Sequence, residues 1–175
     1  GFACNHPSQT TLAAGAAAES HAVTCTAESG LLAGTHTIAF TATSLANSSI
    51  SSISSVDIEI EPKRSANGGP LLEVTMSGDD WSLPWNSSAT YTVTIRNDGN
   101  EQVSGFLHLA GEHVKDLGTN WTFIEENQTQ RVFSVAPLGV ATYSLTLQPA
   151  GEPTIGTIEV RIEASGSLSG GQGFM

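Results

Sequence analysis

Cys4 and Cys25 are the residues with the most defined chemistry, 21 positions apart in a chain with no other thiol. On neighbouring strands they would form a disulfide. Closing a loop of that size is worth about 3 kcal/mol in the chain-entropy picture, and it points to an oxidising compartment. Two free buried thiols are the alternative. A metal centre is disfavoured, because no second Cys or His pair stands at ligand spacing. His6, His21, His36, His108 and His113 never approach the spacing of a metal-binding pair, and each reads as a surface or edge-strand residue. Asp79-Asp80 ahead of Trp81, and Glu125-Glu126 ahead of Asn127, could offer loop oxygens to calcium. Neither loop has the ligand rhythm of a calcium motif, so solvated turn carboxylates are the favoured reading. Trp81 and Trp85, with Asp79 and Asp80 beside them, could stack on a sugar ring; as plain core or inter-module packing they need no ligand. Trp121 lies inside an Asn-X-Thr triplet. No nucleophile elbow, phosphate loop or dinucleotide fingerprint occurs, and Gly166-Ser167-Leu168-Ser169-Gly170 misplaces its serine. The expectation is therefore no enzyme, no cofactor and no metal.

Four triplets can accept N-linked sugar if exposed in a secreted chain, at Asn47, Asn86, Asn120 and Asn127. All four flank turns or strand ends in the pattern described below. Between Ser44 and Ser55, seven of twelve residues are serine, which suits either O-linked sugar or a solvated, flexible hairpin loop.

Charge narrows the partners. Six Lys and Arg face 17 Asp and Glu in 175 residues, a formal net charge of −11. Phosphate backbones and anionic membranes are repelled by such a chain, which excludes nucleic acid. No run approaches the roughly 18 apolar residues of a spanning helix, and Gly1 opens without a leader segment. The chain reads as a trimmed or excerpted piece.

The elements that must position these residues are strands. Apolar and polar residues alternate at the period that sends side chains to opposite faces. Tyr91, Val93 and Ile95 lie on one face with Thr90, Thr92, Thr94 and Arg96 on the other, before a turn at Asn97-Asp98-Gly99. Val56, Ile58 and Ile60 alternate with Asp57, Glu59 and Glu61, and Ile158, Val160 and Ile162 alternate with Glu159, Arg161 and Glu163. Further strands are expected at 23–26, 35–43, 71–76, 103–109, 121–124, 130–135 and 142–148. Leu12 to Ala18 is the one rival for helix, but Gly15 interrupts it and seven residues are too few to hold a helix, so it reads as loop or strand margin.

Pro62 to Pro70 breaks the pattern. Residues 63–69 read as a linker, 70–166 as a complete immunoglobulin-like sandwich of about seven strands, and 167–175 as a mobile Gly/Ser-rich tail. Residues 1–62, with about four strand signals, are too few for a sandwich, so their apolar faces should lack partners. An internal repeat accounts for the deficit. Leu12-Ala13-Ala14-Gly15, a strand, then Ala33-Gly34-Thr35 and a final strand through Ser44 parallel Ala136-Pro137-Leu138-Gly139, Tyr143 to Leu147, then Ile155-Gly156-Thr157 and a final strand through Ser165. Residues 1–62 are then the C-terminal part of a sandwich. Its front strands lie elsewhere in a longer array, the favoured reading, or come from a neighbouring copy. The expected fold is all-β: two immunoglobulin-like antiparallel β-sandwich modules, the N-terminal one incomplete.

The run Cys4, Thr10 to Gly15, Thr24-Cys25-Thr26, Ala33-Gly34-Thr35 and Thr41-Ala42-Thr43 resembles a tandem sandwich repeat of large extracellular surface proteins. Residues Tyr91 to Asn100, Asn120-Trp121 and Gly156 are similar to the adhesion-type modules abbreviated CARDB and to the sandwich attached to some glycosidases. This resemblance implies a non-catalytic structural module of a glycosylated cell-surface or filament protein, with adjacent modules or copies of the same protein as partners. A carbohydrate-binding accessory module is the alternative. Either is extracellular.

Overall fold

The computed structural model describes residues 1–13, 15–78, 87–110, 120–123, 130–148, 161–168 and 173–175. Every regular element among them is a strand. These are β1 (Phe2–Asn5), β2 (Thr24–Ala27), β3 (Gly34–Thr43), β4 (Ser51–Ile60), β5 (Leu72–Ser77), β6 (Ala89–Asn97), β7 (Val103–Ala110), β8 (Asn120–Phe123), β9 (Gln130–Val135), β10 (Val140–Gln148), β11 (Arg161–Ser167) and β12 (Gly173–Phe174).

The trailing unit is two four-stranded antiparallel sheets, in the orders β5-β6-β10-β8 and β12-β11-β7-β9. Both contribute to one core. Val93, Ile95 and Leu145 from the first sheet meet Val103, Leu107, Phe133 and Val135 from the second. The alternation read from the sequence sets the faces. Along β6, Tyr91, Val93, Ile95 and Asn97 are buried, while Thr92 and Arg96 point to solvent. Where β7 crosses β11, Gly105 stands opposite Gly166. A Cβ on Gly105 would fall 2.1 Å from the Ser165 carbonyl oxygen, so only glycine lets the two backbones approach there.

The leading unit is built differently. It comprises two separate two-stranded sheets, β1-β2 and β3-β4. None of its described residues is fully buried; along the described chain the first buried residue is Tyr91. In the β3-β4 hairpin, Ile38 stands opposite Val56 and His36 opposite Ile58, so His36, Ile38, Phe40, Val56, Ile58 and Ile60 share one face. Phe2 of β1 lies edge-on to His36, with ring centroids 6.0 Å apart. Val56 is 47% exposed, and Ile53 on the opposite face 69%. Residues 6–13 and 15–23 join β1 to β2 without forming a strand, and all are exposed. The segment around Leu12 is a loop, as read, closed by a hydrogen bond from Ala16 N–H to the Ala13 carbonyl.

Two expectations are corrected. The serine-rich run is not loop throughout: Ser51 to Ser55 lie in β4, opposite Thr43 to Ala39, and only 44–50 form the hairpin loop. Residues 63–69, read as a linker, connect β4 to β5 without a strand, and within them Arg64 pairs with Glu101 and Ser65 N–H bonds the Gly69 carbonyl. The C-terminal stretch is fastened at its described residues: Leu168 is 4% exposed within the core, and Gly173–Phe174 pair with Ser167 and Gly166. A strand at Phe2–Asn5 has too short a pattern to be recognised in sequence.

This division of burial is testable. Ile95→Ala or Leu145→Ala should cost about 2–5 kcal/mol in urea denaturation, as large-to-small changes in a closed core do. Ile53→Ser, on the exposed face of β4, should stay within about 0.5 kcal/mol of the parent chain.

Candidate functional site

The polar residues that the structure gathers lie at one turn, 97–101, between β6 and β7. Period two carries Asn97 onto the core face of β6, one step beyond Ile95, so a carboxamide enters the end of the hydrophobic core at 0% exposure. Buried amides must be hydrogen-bonded throughout, and this one is. Its Oδ1 accepts from Gly99 N–H at 2.9 Å, an Asx turn favoured by the Asn-Asp-Gly sequence. Its Nδ2 donates to the carbonyl of Glu101 at 2.8 Å and to that of Ala136 at 3.1 Å. Its own N–H donates to the Gly139 carbonyl at 2.9 Å. One side chain thus ties the end of β6 to the β9-β10 turn.

The same turn reaches back to the leading unit. The Asn100 carbonyl accepts from Ala33 N–H at 2.9 Å. Its Nδ2 donates to the carbonyls of Leu31 at 3.3 Å and Glu61 at 3.2 Å, and its Oδ1 accepts from Lys63 N–H. Beside it, the Arg64 guanidinium forks onto Glu101, with Nε to Oε1 at 2.9 Å and the second nitrogen to Oε2 at 3.4 Å. The Glu101 side chain is 7% exposed, so this pair is shielded from water on the carboxylate side. Asp98 N–H donates to the Leu71 carbonyl at 2.8 Å. Within five residues, the trailing sandwich fastens the segment before β3, the end of β4 and the connection to β5.

Leu138 completes the contact. It is the one non-glycine residue among those described with positive φ, at 55°, a conformation that costs about 1 kcal/mol or more for a side chain with a Cβ. Its N–H bonds the Gly99 carbonyl at 3.1 Å, and its side chain lies against Gly30.

The sequence-expected site residues are dispersed. Cys4 and Cys25 face each other across β1 and β2 and form the disulfide. Asn47 is exposed at the tip of the β3-β4 hairpin; its Oδ1 accepts from Ser49 N–H at 3.0 Å, and the position is open to solvent as glycosylation requires. Asn120 begins β8, opposite Gln148. Asp79, Asp80, Trp81, Trp85, Asn86 and Asn127 lie outside the described residues, as do Glu125 and Glu126. Among the described residues no three His, Cys, Asp or Glu side chains converge to hold a metal. A groove of about 500 Å³ runs beside β5 and β12, lined by Leu72, Val74, Ala164 and Phe174 with uncharged neighbours.

Sequence reasoning recognised Asn97 to Asn100 as a turn and missed the clasp. Its partners are mostly backbone N–H and carbonyl groups distant in sequence, and any residue type can supply a carbonyl. The signal that was available is the repetition of Asn at both ends of the turn, with Glu101 next to it and no nearby cation of its own strand to answer it.

The two asparagines should separate cleanly on substitution. Asn97→Ala removes the side-chain partners of Gly99 N–H and of the Glu101 carbonyl inside the protein and should lower the stability of the trailing sandwich by about 2–3 kcal/mol. Asn100→Ala should leave that stability within about 0.5 kcal/mol, because its side-chain bonds run to the leading unit and the connection after it. Urea denaturation followed through the methyl resonances of Val93 and Ile95 reads the difference. Comparison of the chain with protein-family models and with curated proteins finds no match in either.

Proposed function

We propose that this chain is a non-catalytic structural module of an extracellular, glycosylated surface or filament protein, whose task is to hold distance and orientation along an array. The observation that carries the reading is the clasp at 97–101. A flexible tether between β units needs no such turn, whereas a spacer must fix each unit to the next, and here one turn holds both the linker and the preceding hairpin. The trailing unit is taken as immunoglobulin-like on its strand count and its two four-stranded layers. The Cys4–Cys25 bond suits an oxidising exterior and supports a leading unit that has little core of its own. Net charge of −11 and sugar at exposed Asn47 would keep such a surface soluble and apart from its neighbours. The partners in this reading are adjacent modules or copies of the same protein.

Spin labels at exposed Ser52 on β4 and Ser144 on β10 test the spacer directly. A single narrow distance distribution is expected in the parent chain and a broad one in Asn100→Ala. A broad distribution in the parent chain would remove the reading.

A further inference from the structure

The leading unit follows the back half of the trailing one: β1, β2, β3 and β4 correspond to β8, β10, β11 and β12. In β1-β2, Cys4 pairs with Cys25; in β8-β10, Phe123 pairs with Leu145. The ladders then run on in parallel: Phe2 with Ala27 as Trp121 with Leu147, and Glu28 N–H bonds the Gly1 carbonyl where Gln148 stands opposite Asn120. The turn closed by Ala16 N–H on the Ala13 carbonyl, with Gly15 at φ 77°, matches the turn closed by Gly139 N–H on the Ala136 carbonyl, with Leu138 at φ 55°. Strand β3 matches β11: Phe40 and Ala42 share one face of β3, as Ile162 and Ala164, packed against the core, share one face of β11. The antiparallel pair β3-β4 matches the antiparallel pair β11-β12.

Laid on the trailing unit, this correspondence leaves three places without any residues of this chain, and a fourth, that of β9, without a strand. The three are those of β5, β6 and β7, which are consecutive in the chain. In the trailing unit β6 pairs with β10, and β7 pairs with both β11 and β9. Removing them strips one edge from β2 and one from β3. It also removes the only neighbour of the β9 lane. Residues 7–12, which precede the matching turn as β9 precedes its own, are the stretch that forms no strand and stays exposed. On the apolar face of β3-β4 no side chain is fully buried, and Val56 is 47% exposed.

We propose that the leading unit is completed by one continuous three-stranded segment of the β5-β6-β7 type, belonging to a further repeat of the same kind. The segment inserts between β2 and β3 and brings residues 7–12 into a strand along its last member. This rests on the array reading above. Main-chain pairing supplies the attachment, and alternating apolar side chains facing Phe40, Ile38 and Ile58 supply selectivity. In the trailing unit Ala164 stands opposite Leu107. The residue that enters opposite Ala42 therefore corresponds to Leu107.

The test fuses a second copy of residues 70–110 ahead of Gly1 in the full chain through a flexible linker. Proteolytic cleavage within residues 6–23 should slow at least about tenfold. A fusion whose added copy carries Val93→Asp, Ile95→Asp and Leu107→Asp should be cleaved as fast as the parent. Unchanged cleavage in the first fusion, or equal protection by the second, overturns the proposal. Register is read independently by Ala42→Cys with Leu107→Cys in the added copy: an additional disulfide between these two is expected, and its absence in oxidised protein contradicts the lane assignment. The label distances between Ser52 and Ser144 do not depend on either outcome, so failure here is distinguishable from failure of the spacer reading.

Discussion

The carboxamide of Asn97 occupies a position where the hydrophobic core ends and the junction begins. It is fully buried at the close of a row that starts with Tyr91, and its donor and acceptor atoms are all engaged by backbone. Leaving even one of those groups unpaired inside the protein costs more than the bond contributes in water, so the turn has a single satisfied geometry. That geometry places Asn100 and Glu101 where they meet the leading unit and Arg64. Core packing, turn conformation and the attachment of residues 1–62 are in this sense one arrangement. The strain accepted at Leu138 belongs to it, because the same residue bonds Gly99 and touches Gly30.

The two units obey the same physics with opposite results. A β-sheet buries one face against a second layer, and isolated two-stranded ribbons are marginal in water. The trailing unit has four strands in each layer and eight hydrophobic residues below 5% exposure in one cluster. The leading unit has two strands in each layer, and its described residues form no buried cluster. What holds its parts is covalent or polar: the Cys4–Cys25 bond, the long β3-β4 ladder, and the Asn100 bonds to Leu31, Glu61 and Lys63.

Much of this was legible from alternation. The inward rows of β6 and β3 follow directly from period two, as does the shortage of strands before residue 62. The cysteine pair followed from spacing and strand adjacency. What escaped were features fixed by distant partners. Ser51, Ser52, Ser54 and Ser55 have no strong strand propensity of their own and extend β4 because Ala39 to Thr43 lie opposite. Leu168 sits in a Gly/Ser-rich stretch that reads as tail, yet one leucine at the right register is enough to anchor it. The role of Asn100 depends on carbonyls of residues 31 and 61, which no side-chain pattern encodes. The tryptophan and aspartate pairs that suggested a sugar or calcium site lie outside the described residues, and the spacer reading does not draw on them.

Two four-stranded sheets closed on one core stand at one end, two separate two-stranded sheets at the other, and a polar turn bonds to both. The unequal closure of the two units is the claim on which the account depends. Amide hydrogen exchange on the intact chain measures it directly. Amides of residues 34–60 should exchange at least about 100-fold faster than those of β6 and β10, since local opening of an uncovered hairpin requires little of the global unfolding free energy. Equal protection in the two sets would mean that the leading unit is closed on its own, and would contradict the account.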